Sequence, residues 1–276
     1  MPLKPPDPEL PRFHVDLPLT PGLEAALPPA AARHVQVLRL QPGAPITLFD
    51  DSGADWSAEV LAMGRSEVRV RVGEAQPVDN ELPLAVTLAV GMPANERMDW
   101  LVEKATELGV ATIQPLVCAR SVLRLEGERA DRKRAHWRGI ATAAAEQCGR
   151  ALVPEIAPVR SLGAWLRALR GDEAGGGRED RFVLSLAPGA QPWTTALGRL
   201  SAQASGPRRH WLLLSGPEGG LSPEEDALAR SAGLRPVSLG PRVMRAETAP
   251  IAALAALGLL LTPAGASGTD TSASGP

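Results

Sequence analysis

The sequence predicts an α/β protein: a parallel-sheet domain preceded by a small barrel or sandwich. Three observations carry this. Short strand-like runs crowd the first quarter of the chain. After them, continuous apolar strands alternate with amphipathic helices. Between the two rhythms lies GEAQPVDNELP, residues 73–83, polar and carrying two prolines. Strands that alternate with helices point to a parallel sheet, because each parallel crossover needs a connection of helix length.

Length and composition bound the problem. A chain of 276 residues has room for two domains. Hydrophobic residues at 44% and charged residues at 22% fit a folded globular protein. Aromatic residues are only 3%, with no Tyr, so the core rests on Leu, Val, Ile and Ala. A net charge of −2 argues against nonspecific coating of nucleic acid but is compatible with a local basic face. Cys118 and Cys148 have no CxxC spacing and the four His are scattered, so no metal site is expected. A reducing, cytoplasmic compartment fits this cysteine usage. The opening MPLKPPDPELPR lacks the apolar core of a signal peptide. The apolar run PIAALAALGLLLTP is too short to span a bilayer and reads as a buried helix, so no membrane partner is expected.

Taken in order, residues 1–11 read as a disordered leader and residues 12–75 as the β-rich domain. APITLFD, DWSAEVLAM and SEVRVRV are its short strands, the last strictly alternating, with turn signals at Asp51-Ser52-Gly53 and at Gly64. AARHVQVLRLQPG interrupts them with a helix-like segment. Residues 76–83 read as a linker and residues 84–262 as the α/β domain. LAVTLAVG is an apolar strand. In RMDWLVEKATELG, Met98, Leu101, Val102, Ala105 and Leu108 share one helix face, and Gly109 ends the helix. Lys104 and Glu107 form an ordinary helix-surface arrangement. The strand ATIQPLV follows, then a basic helix at about residues 131–147, a strand near 155–159 and a helix near 161–169. GDEAGGGRED reads as a flexible loop. RFVLSLA and HWLLLSG are strands that bracket one more helix, and residues 263–276 read as a disordered tail.

The chemistry concentrates in three loops, each following a strand. SGPEGGLSPEED has Ser222 at the N-cap, Pro223 at N1 and Glu225 at N3, a capping box with the cap alone contributing about 1 kcal/mol. GPRVMRAETAP again opens on Gly-Pro and again leads into an apolar helix. SLAPGAQP is the third. Loops at the C-terminal ends of strands are where open α/β sheets bind ligands. None has the Lys-Ser/Thr of a P-loop or the spacing of a dinucleotide fingerprint. Few charges, exposed glycine backbone and apolar neighbours suit a nucleoside thioether without phosphates, so S-adenosylmethionine fits better than NAD or ATP. For any one loop alone, a tight turn imposed by the chain path is the better account of the glycines; three such loops, one carrying Arg242, Arg245 and Glu247, favour a ligand site.

LLLSGPEGGLSPEE together with VSLGPRVMRAETAPIAALAAL resembles the C-terminal signature of the 16S rRNA uridine-N3 methyltransferases, a branch of the SPOUT superfamily. RHVQVLRLQPGAPITLFD resembles that family's N-terminal RNA-binding domain, and EKATELGVATIQPLVCARSV and AAAEQCGRALVP resemble its central motifs. The resemblance implies a SPOUT-type trefoil-knotted parallel-sheet domain preceded by a small PUA-like β-barrel. It also implies a homodimer, S-adenosylmethionine held in the loops, and 16S rRNA or the small ribosomal subunit as partner. Composition and periodicity show no knot; the resemblance alone implies it.

On this footing the cofactor-binding candidates are Leu186 and Ala187; Ser215, Gly216, Pro217, Glu218, Gly219 and Gly220; and Leu239, Gly240, Val243, Met244, Arg245 and Thr248. Arg242, Arg245 and Glu247 are the catalytic candidates. A guanidinium near the uracil oxygens would stabilise negative charge as N3 loses its proton. Salt bridges from the two arginines to Glu247 or Glu218 are the alternative, as is a helix-capping role for Glu247 and Thr248. No His lies in these loops to serve as a general base. The RNA-binding candidates are His34, Arg39, Arg120, Arg132, Lys133 and Arg150, from the N-terminal domain and a basic span that also holds Arg124, Arg134 and Arg138. The interleaved Glu126, Glu128 and Asp131 leave open a solvated helix face. Two other functions stay open: a related methyltransferase acting on tRNA or a ribose hydroxyl, and a non-catalytic RNA-binding ribosome-assembly factor. An oxidoreductase fits poorly, because no glycine fingerprint follows the first strand.

Overall fold

The computed structural model describes residues 10–65, 67–94, 96–171, 179–201 and 209–261. Most of the expected leader, the tail, and residues 172–178 of the glycine-rich loop lie outside the described residues. The chain forms two compact units. One comprises the residues up to Glu81 with Val102–Glu107 and Arg132–Glu155; the other comprises Leu82–Leu101, Leu108–Asp131 and the residues from Ile156 on. The first unit therefore includes two segments that the sequence pattern assigned to the α/β domain. Helical periodicity reports that a face is apolar, not which sheet covers it.

In the first unit, strands β1 (Arg12–His14), β2 (Glu24–Ala26), β3 (Pro45–Phe49), β4 (Ala54–Met63) and β5 (Val68–Pro77) join helix α1 (Pro29–Val37). They form a mixed sheet in the order β1-β3-β4-β5-β2, with β1 parallel to β3 and the other ladders antiparallel. Strand β5 shows why: Val68, Val70 and Val72 are buried while Arg69 and Arg71 face out, the two-residue period of a half-buried strand. Register shifts in β4 at Trp56/Ala58 and Val60/Ala62 mark bulges, which increase local twist. Phe13, Val35, Ile46, Leu48 and Val60 lie in the core. Strand β5 runs through Pro77, and Asn80 Nδ2 donates to the Gly149 carbonyl at 2.7 Å, so the expected linker is anchored by hydrogen bonds.

Arg12 is the electrostatic centre of this unit. Its guanidinium meets both oxygens of Asp55, at 2.5 and 3.3 Å, and donates to the carbonyls of Ala145 at 3.1 Å and Arg150 at 3.2 Å. It also lies 4.8 Å from the centre of the Phe49 ring. A buried cation with this many acceptors holds β1 against the segment 145–150.

The remaining elements are β6 (Ala85–Gly91), α2 (Glu96–Glu107), β7 (Thr112–Val117), α3 (Gly127–Cys148), β8 (Glu155–Ile156), β9 (Arg160–Ser161), α4 (Leu162–Gly171), β10 (Glu179–Leu184), β11 (Gln191–Pro192), α5 (Trp193–Ser201), β12 (His210–Ser215), α6 (Pro223–Ser231), β13 (Arg235–Ser238) and α7 (Thr248–Leu261). The second sheet runs β11-β13-β10-β12-β6-β7-β8, with β9 also on β7. Strands β13, β10, β12, β6 and β7 are mutually parallel, as the alternating pattern predicts. Their order is not their chain order, so β10, β12 and β13 deliver successive loops to one edge. The scarce aromatics gather here: Phe182 and Trp193 each pack on Trp211, with ring centres 4.8 and 5.5 Å away.

Helix ends follow the sequence signals. Gly109 has φ +84° just beyond α2, and a Cβ there would come within 2.9 Å of Leu82 Cγ. Lys104 Nζ binds Glu103 and Glu107, each at 2.7 Å. Helix α7 departs from the expected buried helix. Pro250, Ala253, Leu254 and Leu257 are buried, while Leu259 and Leu260 are 81% and 63% exposed. A helix that is apolar throughout after Thr248 has no polar face to mark which side is covered. No helix among the described residues is long and apolar enough to cross a membrane.

Replacing Arg12 by Ala strands Asp55 and the two carbonyls. The expected cost is about 3–5 kcal/mol, as for removing one partner of a buried ion pair, and it is read as a lower urea midpoint.

Candidate functional site

Three loops meet at one edge of the parallel sheet and enclose a cavity of about 520 Å³. They follow β10, β12 and β13, which are adjacent in the order β13-β10-β12. The volume suits a small-molecule ligand. The walls are Ser185, Leu186 and Ala187 from the first loop, residues 215–223 from the second, and Leu239, Gly240, Arg242, Val243, Met244, Arg245 and Ala246 from the third. Leu184, Val237 and Ala249 add apolar surface, and Arg120 and Asp226 complete the rim.

The second loop is held by contacts that only particular residues permit. At Gly91, the end of β6, a Cβ would fall 2.5 Å from Pro217 Cδ and 2.9 Å from Cys118 Sγ, so the strand must end on glycine for Pro217 to seat. A Cβ on Gly219 would meet Arg120 Cβ at 3.0 Å, and Gly220 sits at φ +67°. Arg120 Nη1 donates to the Gly219 carbonyl at 2.9 Å. The capping box is formed: Glu225 N donates to Ser222 Oγ at 3.2 Å, and Ser222 N donates to Glu225 Oε2 at 2.9 Å. Glu225 Oε1 also accepts from Ala119 N at 2.7 Å, tying the loop after β7 to the start of α6. Burial, then the nearby Glu225 charge, pushes the Cys118 thiol up to about 12, which keeps it protonated and unreactive. Cys148 is only partly buried.

The charges are unevenly matched. Of the carboxylates in the wall, Glu218 accepts from Ala94 N at 2.9 Å and lies 3.5 Å from Arg97, while Asp226 pairs with Arg230 at 2.7 Å. Arg242 and Arg245 are exposed at the rim, with no ion pair or side-chain hydrogen bond among the described residues. The salt bridges to Glu218 or Glu247 that the sequence left open for these arginines do not form; Arg97 faces both carboxylates instead. The cavity mouth is thus cationic over an apolar and glycine-backbone interior.

Every expected cofactor-binding residue lines the cavity except Thr248, which is the first residue of α7 and donates its N–H to the Arg245 carbonyl at 3.0 Å. Glu247, expected in catalysis, does not line it. Its carboxylate is buried behind the third loop, with Oε1 3.9 Å from Arg97 Nε and Oε2 without a hydrogen-bond partner.

The expected RNA-binding residues separate. Arg120 is a wall of the cavity and a brace for Gly219. Arg150 is internal: its guanidinium binds both oxygens of Glu81, at 2.8 and 2.7 Å, and the Thr106 carbonyl at 2.9 Å, so it has no face for a phosphate. His34 is half exposed, 3.4 Å from Glu146. Arg39 is exposed just after α1, at φ 55°. On α3, Arg132 is exposed and Lys133 partly so. The sequence reading missed Arg97, Ser185, Leu221 and Asp226. A position in the first turn of the helix that follows an apolar strand of the parallel domain is the one signal that could have singled out Arg97.

The comparisons with known proteins agree with this geometry. A family model described as an RNA methyltransferase domain matches residues 80–258, and one described as an RNA methyltransferase PUA domain matches residues 27–73. Ribosomal RNA small subunit methyltransferase E of Synechocystis sp. is 35% identical over 228 residues, covering 82% of this chain and 69% of that protein. The protein of the same name from Bacillus subtilis is 33% identical over 229 residues, covering 81% and 84%. Among solved structures, a putative methyltransferase from Legionella pneumophila in complex with SAM superposes with a TM-score of 0.80 at 33% identity, covering 91% of this chain and 98% of that one. Ribosomal RNA small subunit methyltransferase E from Neisseria gonorrhoeae, bound to S-adenosyl methionine, gives 0.78 at 32%, with the same coverage.

Gly91→Ala is expected to cost about 1–3 kcal/mol by overpacking against Pro217. Gly220→Ala meets open space and is expected to cost only the left-handed backbone penalty, about 1–2 kcal/mol. Urea unfolding of both variants measures this.

Proposed function

The chain belongs to the RNA methyltransferase family that includes ribosomal RNA small subunit methyltransferase E, and we propose that it methylates N3 of a uridine in 16S rRNA using S-adenosylmethionine. One observation carries the reading: the cavity joins a glycine-backbone wall, which lacks the Lys-Ser/Thr of a phosphate loop, and an apolar interior to two arginines that no carboxylate among the described residues occupies. The residues fit the cofactor. The backbone of residues 216–220 and 239–240 offers donors and acceptors to an adenosine, and Leu186, Leu239 and Met244 offer apolar surface to a thioether. Bound there, S-adenosylmethionine supplies a methyl group already activated by its sulfonium charge.

The chain's own residues do the rest. The three loops hold the reactants in line. In this reading Arg242 and Arg245, exposed at the cavity mouth, stabilise the negative charge left on the uracil when N3 gives up its proton to solvent. The target base must leave its stack to reach this edge. The N-terminal unit, with His34 and Arg39, and helix α3, with Arg132 and Lys133, supply RNA contacts. The knotted threading belongs to this reading, supported by the family to which the chain belongs. So does a homodimer, in which a second copy covers apolar side chains such as Leu259 and Leu260. An rRNA substrate implies work in the cytoplasm.

Isothermal calorimetry with S-adenosylmethionine should show binding, and mapping of modified uridines in 16S rRNA from cells with and without the protein should show one site lost. No affinity for the cofactor, even with RNA present, rejects the reading. Arg245→Ala is expected to slow single-turnover methyl transfer, measured at saturating S-adenosylmethionine, by about 10²–10³, the scale of losing one transition-state donor. Arg132→Ala with Lys133→Ala should weaken RNA binding and reduce its salt slope by up to about 2, roughly one unit for each phosphate no longer neutralised; an unchanged slope makes that face merely solvated.

A further inference from the structure

We infer that Arg97 is a positioning residue that clamps the second and third loops of the site to each other. Glu218 stands in the loop after β12 and Glu247 in the loop after β13. These strands are not neighbours, because β10 lies between them, so no ladder sets the spacing of their loops. Arg97, in the first turn of α2, reaches both: Nη1 is 3.5 Å from Glu218 Oε1 and Nε is 3.9 Å from Glu247 Oε1. Ala94 N donates to the same Glu218 oxygen at 2.9 Å, so the start of α2 grips the second loop through both backbone and side chain.

Glu247 makes the arrangement more than a surface ion pair. The residue is only 9% exposed, its Oε2 has no hydrogen-bond partner, and among the described residues no other cation lies in ion-pair range of it. A buried carboxylate left without counter-charge is costly, so removing Arg97 should loosen the third loop. Arg97 does not line the cavity; it acts through the two loops that do.

The effect of the clamp on cofactor binding rests on the proposed function, but the clamp itself can be read without any ligand. Hydrogen exchange in Arg97→Ala should quicken about tenfold in residues 216–221 and 240–247 through easier local opening, with β4 and β5 unchanged. Glu247→Gln in the Arg97→Ala background removes the stranded charge and should return exchange in 240–247 most of the way to wild type. The affinity for S-adenosylmethionine should fall and recover in parallel. Unchanged exchange in both loops of Arg97→Ala overturns the clamp, as does a Glu247→Gln change that adds to the loss. Wild-type protein that fails to bind S-adenosylmethionine rejects the proposed function and leaves the exchange result to decide the clamp.

Discussion

The site depends on how the loop after β12 is held. Gly91 removes the side chain that would block Pro217, Arg120 bonds the Gly219 carbonyl, and Ala94 N–H bonds the Glu218 carboxylate. At its far end, Glu225 closes the capping box with one oxygen and receives Ala119 N–H with the other. The loop is therefore fixed by neighbours on several sides before any ligand arrives. Preorganisation of this kind places backbone groups without an ordering cost at the moment of binding.

The charge pattern follows from the same arrangement. Each carboxylate of the cavity wall is engaged by a cation from outside the third loop: Glu218 by Arg97 and Asp226 by Arg230. Had Glu218 or Glu247 paired with Arg242 or Arg245, the cavity mouth would be close to neutral. Instead both guanidinium groups remain available to an anionic substrate. A chain with a net charge of −2 thus presents a local cationic face at the one place where the proposed chemistry needs it.

Much of this was legible in the sequence because the signals are local. The capping box at Ser222, the glycine ending α2, the alternation of β5 and the parallel α/β rhythm each depend on residues within a few positions of one another. The cavity wall was legible for a related reason: a glycine loop after an apolar strand sits at the C-terminal edge of a parallel sheet wherever that strand lies. What the sequence did not show was where the charged residues find their partners. Arg150 is buried on Glu81, Arg120 braces the Gly219 carbonyl from the cavity rim, and Glu247 is buried near Arg97. Arg150 finds Glu81 69 residues away and Arg120 finds Gly219 99 residues away, beyond the reach of any sequence window. Glu247 faces Arg97 across a still longer stretch of chain.

The sequence by itself determined which segments are strands, helices and ligand loops, because propensity, periodicity and capping act over a turn or two of chain. Only the tertiary structure decided which arginines are committed and which face the cavity mouth. That depends on strand order: β12 and β13 flank β10, and α2 starts where Arg97 can reach the acids of both outer loops. Pairing of charges is set by distance in space, and a linear pattern carries no record of that distance.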